Sequence, residues 1–224
     1  PVFDESLKLI ESFSNSNNNE LEWLFDKTEE WAKEKSLHNA ITTSIALGGS
    51  TNMVLHLLAI AKVANIKLNI DEFNSIGYNV PVMTNLKPHG EYLMNDLHKI
   101  GGVQVIMKRL LDMGLLYGDC ITINGNTLEQ NININNKHLD ERTIEDSNII
   151  KTFKESSHIV ILKGNIAPNG AVAKISGKEG DIFKGIANVF ESEAEFMEAL
   201  TKNRIREGNV IVIRNQGPKG GPGM

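Results

Sequence analysis

The chain closes on a run that can be neither helix nor sheet ladder. RNQGPKGGPGM, from Arg214 to Met224, sits directly behind the apolar, β-branched stretch Val210–Ile213. Proline has no backbone N–H to give to a ladder, and glycine gives up more conformational freedom than any other residue in a regular element. The two segments therefore read as a strand delivering a tight backbone loop, in which main-chain N–H groups can approach an anion or a reacting group closely. Lys219 lies inside that loop with Gly220 and Gly221 beside it and little to pack against. It is either a functional cation or a solvated lysine. A loop of this kind normally leads into something, so the sequence reads as if it stops in the middle of a working part.

Upstream the chain has two characters. Phe3–Ser14 and Leu21–Lys35 carry helical spacing of apolar residues, split by the polar run Asn15–Glu20. Asn39–Leu47 is apolar enough to be a helix or a buried strand. Gly48-Gly49-Ser50-Thr51-Asn52 interrupts it, and Ser50, Thr51 or Asn52 can cap a helix starting there. Met53–Asn65 is apolar on nearly every side, which predicts a helix buried in most directions. Asp71 is placed to cap a short helix through Ile76. Val80–Gly90, punctuated by Pro81 and Pro88, reads as irregular. Glu91–Ile100 and Val103–Met113 read as two helices, with Gly114 at the end of the second. The Asn-rich stretch Asn131–Asn148 reads as a linker. Beyond it, His158–Leu162, Ala171–Ile175 and Val210–Ile213 read as strands, and Ser192–Lys202 as a helix opened by a Ser192/Glu195 capping box. The expected class is α/β: a helix-rich part over residues 1–155 and a β-rich part over 156–224.

Composition narrows the function classes. At 224 residues and 41% hydrophobic the chain can bury a core, and a net charge of -5 argues against nucleic acid as the partner. No apolar run approaches the length of a membrane span. Cys120 is the only cysteine. It excludes an internal disulfide, a cysteine-based zinc site and a self-contained iron–sulfur cluster.

Each candidate motif has a functional and a bland reading. Gly48–Asn52 can hold an anion or carboxylate at a helix start, or it is a turn with a good cap. It lacks the Lys and third Gly of the nucleotide-binding loops. His56 reads as a hydrogen-bonded core residue rather than a ligand, and His98 as a cation at a helix end. His89, between Pro88 and Gly90, is the most open to solvent. Asp119-Cys120 is either a nucleophile with its orienter or a small buried cysteine. Asp140-Glu141, Glu145-Asp146 and Glu191–Glu198 read as solvated acidic faces.

Several of these runs together resemble the dihydroxy-acid dehydratase family. They are Asn39-Ala40-Ile41, the Gly48–Asn52 turn, Val54–Ala61, Leu86–Gly90, Asp96–Gly102, Gly114–Cys120, Gly164–Val172, Val189–Ser192 and the closing Val210–Met224. They keep the family's order from about Ser36 onward. The related sugar-acid dehydratases share the Gly48–Asn52 and closing glycine motifs. The Leu86–Gly90 and Gly114–Cys120 stretches are more similar to the branched-chain enzyme.

The resemblance implies the end of an α/β N-terminal domain followed by the start of a β-barrel-like C-terminal domain. It also implies a hydro-lyase that converts a 2,3-dihydroxy carboxylic acid to a 2-keto acid on the way to valine and isoleucine. In that family an iron–sulfur cluster assists the departing 3-hydroxyl, magnesium holds the carboxylate and 2-hydroxyl, and a serine takes the C2 proton. The cluster cysteines and most magnesium ligands lie upstream of the stretch that matches this chain, and Cys120 matches none of them. A further metal-binding Glu and the base serine come after the Gly-Pro-Gly-Met run. No catalytic or metal-ligating residue is thereby assigned within the 224 residues, and no cofactor is expected in this chain alone.

What remains is Gly48, Gly49, Ser50, Thr51, Asn52, Lys219, Gly220 and Gly221, as loops lining or supporting the substrate site. The departures from the family here are His89, where small residues are usual, and Asn215-Gln216, where an aromatic or Gly followed by Glu is usual. The expected setting is a homodimer in the cytoplasm, or in the mitochondrial or plastid matrix of a eukaryote, with no nucleic-acid or membrane partner. The isolated chain is expected to be inactive. Two alternatives stay open: a non-catalytic anion- or partner-binding module, and one part of a split dehydratase.

Overall fold

A computed structural model describes residues 34–88, 90–136, 147–175, 180 and 182–217. The helix expected over Phe3–Ser14, nearly all of that over Leu21–Lys35, His89, the acidic pairs at 140–146 and the closing loop from 218 onward lie outside these residues. Among the described residues helices are mixed with small two-stranded sheets, consistent with the α/β class. In chain order they are α1 (Glu34–Ala46), α2 (Asn52–Val63), α3 (Glu72–Gly77), β1 (Val82–Thr84), α4 (Met94–Lys99), α5 (Val103–Asp112), α6 (Leu128–Asn136), β2 (Ile150–Lys154), β3 (Ile159–Leu162), β4 (Ala171–Lys174), β5 (Ala187–Phe190), α7 (Glu193–Thr201) and β6 (Val210–Ile213). The chain divides into two compact units at Ser176/Gly177.

The first unit is built around α1, whose Ile41, Ile45 and Ala46 are fully buried. It packs against α2, α3, α5 and β1. Phe73, Leu97, Ile106, Leu110, Ile159 and Ile161 complete one continuous core, each large apolar side chain contributing about 1.5–3 kcal/mol by leaving water. β1 pairs with β2 antiparallel, with an irregularity between Val82 and Thr84, and β3 pairs with β4 in an antiparallel hairpin. α3 docks on β3 through a side chain acting as backbone. Asn74 donates to the Ile161 carbonyl at 2.9 Å and accepts from its N–H at 2.7 Å.

In the second unit, β5 and β6 are parallel with α7 between them. The Ser192 hydroxyl accepts from Glu195 N at 3.2 Å, as the capping pattern predicts. The Glu195 carboxylate instead accepts from Glu191 N, one residue before the cap. Glu191 also takes Arg214 and Asn215 at 2.9 and 3.0 Å. The chain leaving β6 is thus folded back, with Asn215 in the left-handed region at φ 57°. The Glu191–Glu198 face is otherwise solvated, as its composition suggests.

Four expectations need correction. The helix over Asn52–Val63 is not buried in most directions: Val54 and Ala61 are fully buried, but Leu55, Ile60 and Val63 are 49, 51 and 85% exposed. Its neighbours among the described residues cover one side only. Asp71 does not cap α3 with its side chain. Asn69 does that work, accepting from Asp71 N, while the Asp71 carboxylate pairs with Lys163 at 2.5 Å. The start of the Asn-rich stretch is not linker but α6. A Thr127/Gln130 capping box opens it, with Gln130 N donating to the Thr127 hydroxyl and Thr127 N to the Gln130 amide oxygen. Finally, the proline-bounded stretch around Val82 holds a buried strand, and β2 and β5 are also strands the pattern did not announce. They are too short, or too mixed in polarity, for alternation to show.

Candidate functional site

The Gly48–Asn52 turn is made by the way α1 ends. Gly48 adopts φ 67°, its N–H bonds the Ile45 carbonyl, and Gly49 N bonds the Ser44 carbonyl, both at 2.9 Å. This pair of bonds closes a helix with a left-handed residue. A Cβ on Gly49 would lie 2.8 Å from the Ser44 carbonyl oxygen, so this position requires glycine for space. The amides of Gly48 and Gly49 are therefore spent on α1 and do not face a ligand.

Two strands hold the turn from behind. Thr84 of β1 donates to the Leu47 carbonyl at 3.1 Å. His158, entering β3 and only 3% exposed, sits 2.6 Å from the Gly49 carbonyl through Nε2. A carbonyl can only accept, so Nε2 carries the proton. In a planar trans peptide the N–H opposes the C=O, so the Ser50 N–H points away from His158, on the exposed side of the turn.

Three potential caps were available, and Ser50 is the one used: its hydroxyl accepts from Asn52 N at 3.3 Å, while Thr51 makes no side-chain cap. Among the described residues the Ser50 and Thr51 amides have no partner. Two such amides beside the positive end of α2 can donate to a carboxylate oxygen.

A second constellation joins α1 to the Gly114–Cys120 loop. Gly114, at φ 71°, ends α5 with the same bonding pattern as Gly48, as its position in the sequence predicts. The loop is then gripped by Asn39, itself 6% exposed. Its amide donates to the Tyr117 carbonyl at 2.9 Å, its oxygen accepts from Tyr117 N at 2.8 Å, and the amide also reaches the Cys120 sulfur at 3.5 Å. Lys35 pairs with Asp119 at 2.5 Å and lies 5.4 Å from the Tyr117 ring, which His38 meets edge-on. The hydrogen bond from Lys35 holds the Asp119 carboxyl below the usual carboxylate range. Burial pushes the His38 imidazole down, against a smaller upward pull from Glu72. Asp119 thus serves Lys35 and does not orient Cys120, so no nucleophile pair forms there.

The histidines sort unexpectedly. His56 is exposed on α2, not a core residue, because the side of that helix carrying it is uncovered. His98 is exposed in the last turn of α4, a placement that suits a cation at a helix end. His158, unmarked by any motif, is the buried one with a defined partner. The signal that could have found it was an imidazole at the mouth of a strand otherwise made of Ile, Val and Leu, which must bond something.

A cleft of about 400 Å³ lies beside α1, lined by Asn39, Ala40, Thr43, Ser44, Cys120 and Leu128 among others. Another of about 400 Å³ is lined by Glu34, Lys35, His38, Glu72 and Tyr117. Lys219, Gly220 and Gly221 lie outside the described residues. Iron–sulfur clusters are held by several thiolates, and this chain has one cysteine, bonded to Asn39. Among the described residues no three His, Cys, Asp or Glu side chains converge as a metal-binding set. The donors among the described residues do not fit an iron–sulfur cluster or a complete magnesium site.

Comparison with known proteins adds two family models. One, described as dihydroxy-acid/6-phosphogluconate dehydratase N-terminal, matches residues 12–131, and its C-terminal companion matches 147–224. The chain is similar to proteins named dihydroxy-acid dehydratase from Francisella tularensis subsp. novicida (48% identical over 190 residues) and Vesicomyosocius okutanii (52% over 190). A third, from Methylococcus capsulatus, is 52% identical over 191 residues. Each match takes in 85% of this chain and 34% of the relative. The chain spans about a third of the length of these relatives.

Proposed function

The chain belongs to the dihydroxy-acid/6-phosphogluconate dehydratase family, and on that premise we propose that it forms the central section of a dihydroxy-acid dehydratase. The reaction removes a proton from C2 and hydroxide from C3 of a 2,3-dihydroxy carboxylic acid. The resulting enol becomes a 2-keto acid, an intermediate on the way to branched-chain amino acids. Neither bond breaks readily without electrophilic help. In this reading the iron–sulfur cluster, the magnesium ligands and the base come from polypeptide outside these 224 residues.

This chain contributes binding and support. The Ser50 and Thr51 amides donate to a carboxylate oxygen, and Thr84 and His158 hold the turn that presents them. Residues 1–155 belong to the α/β domain and 156–224 open the β-barrel-like one. The working enzyme is a cytoplasmic homodimer acting on a small dihydroxy acid.

One observation carries the reading: stretches that resemble the family, far apart in sequence, interlock. Asn39 grips Tyr117, 78 residues away, with both partners inside runs similar to the dehydratases. An unrelated anion-binding module gives no reason for those runs to meet.

The test is anaerobic incubation of the chain with iron, sulfide, magnesium and a dihydroxy acid. The chain alone should form no keto acid. Keto acid should appear when the parts of the Vesicomyosocius okutanii relative outside the matched residues are co-expressed with it. Turnover by the chain alone would defeat the assignment of the catalytic parts to other polypeptide. Calorimetric binding of phosphate or hydroxy acids at millimolar strength or better, with no turnover in any mixture, would favour the binding module.

A further inference from the structure

We propose that Asn169, in the turn between β3 and β4, is a site of spontaneous deamidation that converts it to aspartate and isoaspartate, independently of the dehydratase reading. The chain has two Asn-Gly pairs, Asn124-Gly125 and Asn169-Gly170. In such a pair the glycine nitrogen can reach the carboxamide carbon before it with no side chain of its own in the way.

The two pairs are alike in exposure and backbone. Both asparagines are exposed, and the glycines have φ 82° and 108°. Each glycine N–H bonds the carbonyl three residues back, Thr122 at 2.9 Å and Ala167 at 3.1 Å. They differ at the carboxamide. The Asn124 oxygen accepts from the Thr122 hydroxyl at 2.8 Å and from Asn126 N and the Asn131 amide at 3.1 Å, and its nitrogen donates to Asn131 at 2.9 Å. The Asn169 carboxamide has no hydrogen bond among the described residues. It can turn between rotamers toward Gly170 N, whereas Asn124 must first break its bonds.

In the reaction, Gly170 N gives its proton to hydroxide and attacks Asn169 Cγ. The Cγ–Nδ2 bond breaks, ammonia leaves with a proton from water, and a succinimide ring forms. Water then opens the ring at either carbonyl, and nothing is oxidised or reduced. Opening to isoaspartate runs the main chain through the former side chain and adds one carbon between residues 169 and 170. Room is short there: a Cβ on Gly170 would lie 3.3 Å from Ile161 and 3.5 Å from Ile70, and Ala171 already pairs with Leu162.

The test is incubation of the 224-residue chain at mildly alkaline pH, followed by digestion and mass spectrometry, with isoaspartate scored by enzymatic carboxyl methylation. Residue 169 should gain one mass unit at least about tenfold faster than residue 124, whose hydrogen bonds must open first. In guanidinium chloride the two rates should converge. Asn131→Ala, which removes a partner of the Asn124 carboxamide, should speed the change at 124 and leave 169 as it was. Asn169→Gln, which would need a larger ring, should abolish the gain at 169. Equal rates in the folded chain, or a faster Asn124, overturn the proposal, as does an Asn169 modified only in guanidinium. A gap that persists undiminished in guanidinium assigns the difference to local sequence and defeats the structural argument as well.

Discussion

Replacing His158 by Leu tests whether a buried imidazole fixes the Gly48–Asn52 turn. The side chain is 3% exposed, and its bond to the Gly49 carbonyl, at 2.6 Å, joins segments 109 residues apart. Leucine fills a similar volume and cannot donate. The loss is then the net bond plus the cost of a carbonyl left without its donor, together about 1–3 kcal/mol. For a chain of this size each kcal/mol moves the thermal midpoint by about 2–4 °C, so a fall of roughly 2–12 °C is expected.

A local readout separates this from a general packing defect. With the Gly49 peptide unpinned, the amides of Gly48 and Gly49, which bond the Ile45 and Ser44 carbonyls, should exchange with deuterium faster than in wild type, while those of α5 change little. Thr84→Val removes the companion bond at Leu47, and the double variant should show a coupling beyond the sum of the two, because both bonds restrain one short turn. An unchanged midpoint with unchanged exchange at Gly48 and Gly49 would refute the reasoning.

The same geometry sets the outcome of other perturbations. Asn39→Asp keeps an acceptor for Tyr117 N but sets a carboxylate oxygen against the Tyr117 carbonyl; a cost of about 1–3 kcal/mol is expected in urea denaturation, whereas no change would show the loop held by other contacts. Gly49→Ala forces a Cβ against the Ser44 carbonyl at 2.8 Å, and a loss of about 1–3 kcal/mol is expected, measured by the same titration. Thr127→Ala removes one half of the capping box on α6 and should cost about 0.5–2 kcal/mol, with lower helicity near 222 nm. His38 gives a pH test: its folded pKa lies below the ordinary value of 6.5 because burial disfavours the cation. Below 6.5 the unfolded chain then binds more protons, so this contribution is present above that pH and is lost as pH falls through the folded pKa. His38→Gln should flatten the acid limb of the stability profile, and NMR should show His38 titrating below a free imidazole; a higher titration would contradict the burial.

How far the sequence was legible depended on the length and purity of each pattern. Val103–Asp112 and Glu193–Thr201 were clear because apolar spacing, a glycine stop or a serine cap all agree there. β3, β4 and β6 were clear because β-branched runs are bounded by turn residues. β1 is three residues long, and its partner β2 alternates Ile, Lys, Thr, Phe and Lys, so neither strand stands out before they pair. α2 shows a different limit: its apolar composition suggests burial on most sides, whereas Leu55, Ile60 and Val63 are exposed.

At the site, glycine punctuation located the turn, and its link to α1 was open to inference from Gly48. Its anchor was not. The bond from His158 is a long-range contact, and nothing local announces which carbonyl a buried histidine will meet. Equally, the pairing of Lys35 with Asp119 settles a rival reading of Cys120 that the adjacency of Asp119 and Cys120 had kept open.

The central claim is that these residues work as a section of a longer dehydratase, and the intact mass of the native polypeptide from its source tests it most directly. The account predicts a mass well above the 24.8 kDa of this sequence, carried by one chain with dihydroxy-acid dehydratase activity. A native polypeptide of 24.8 kDa with no dehydratase activity in its company would contradict it.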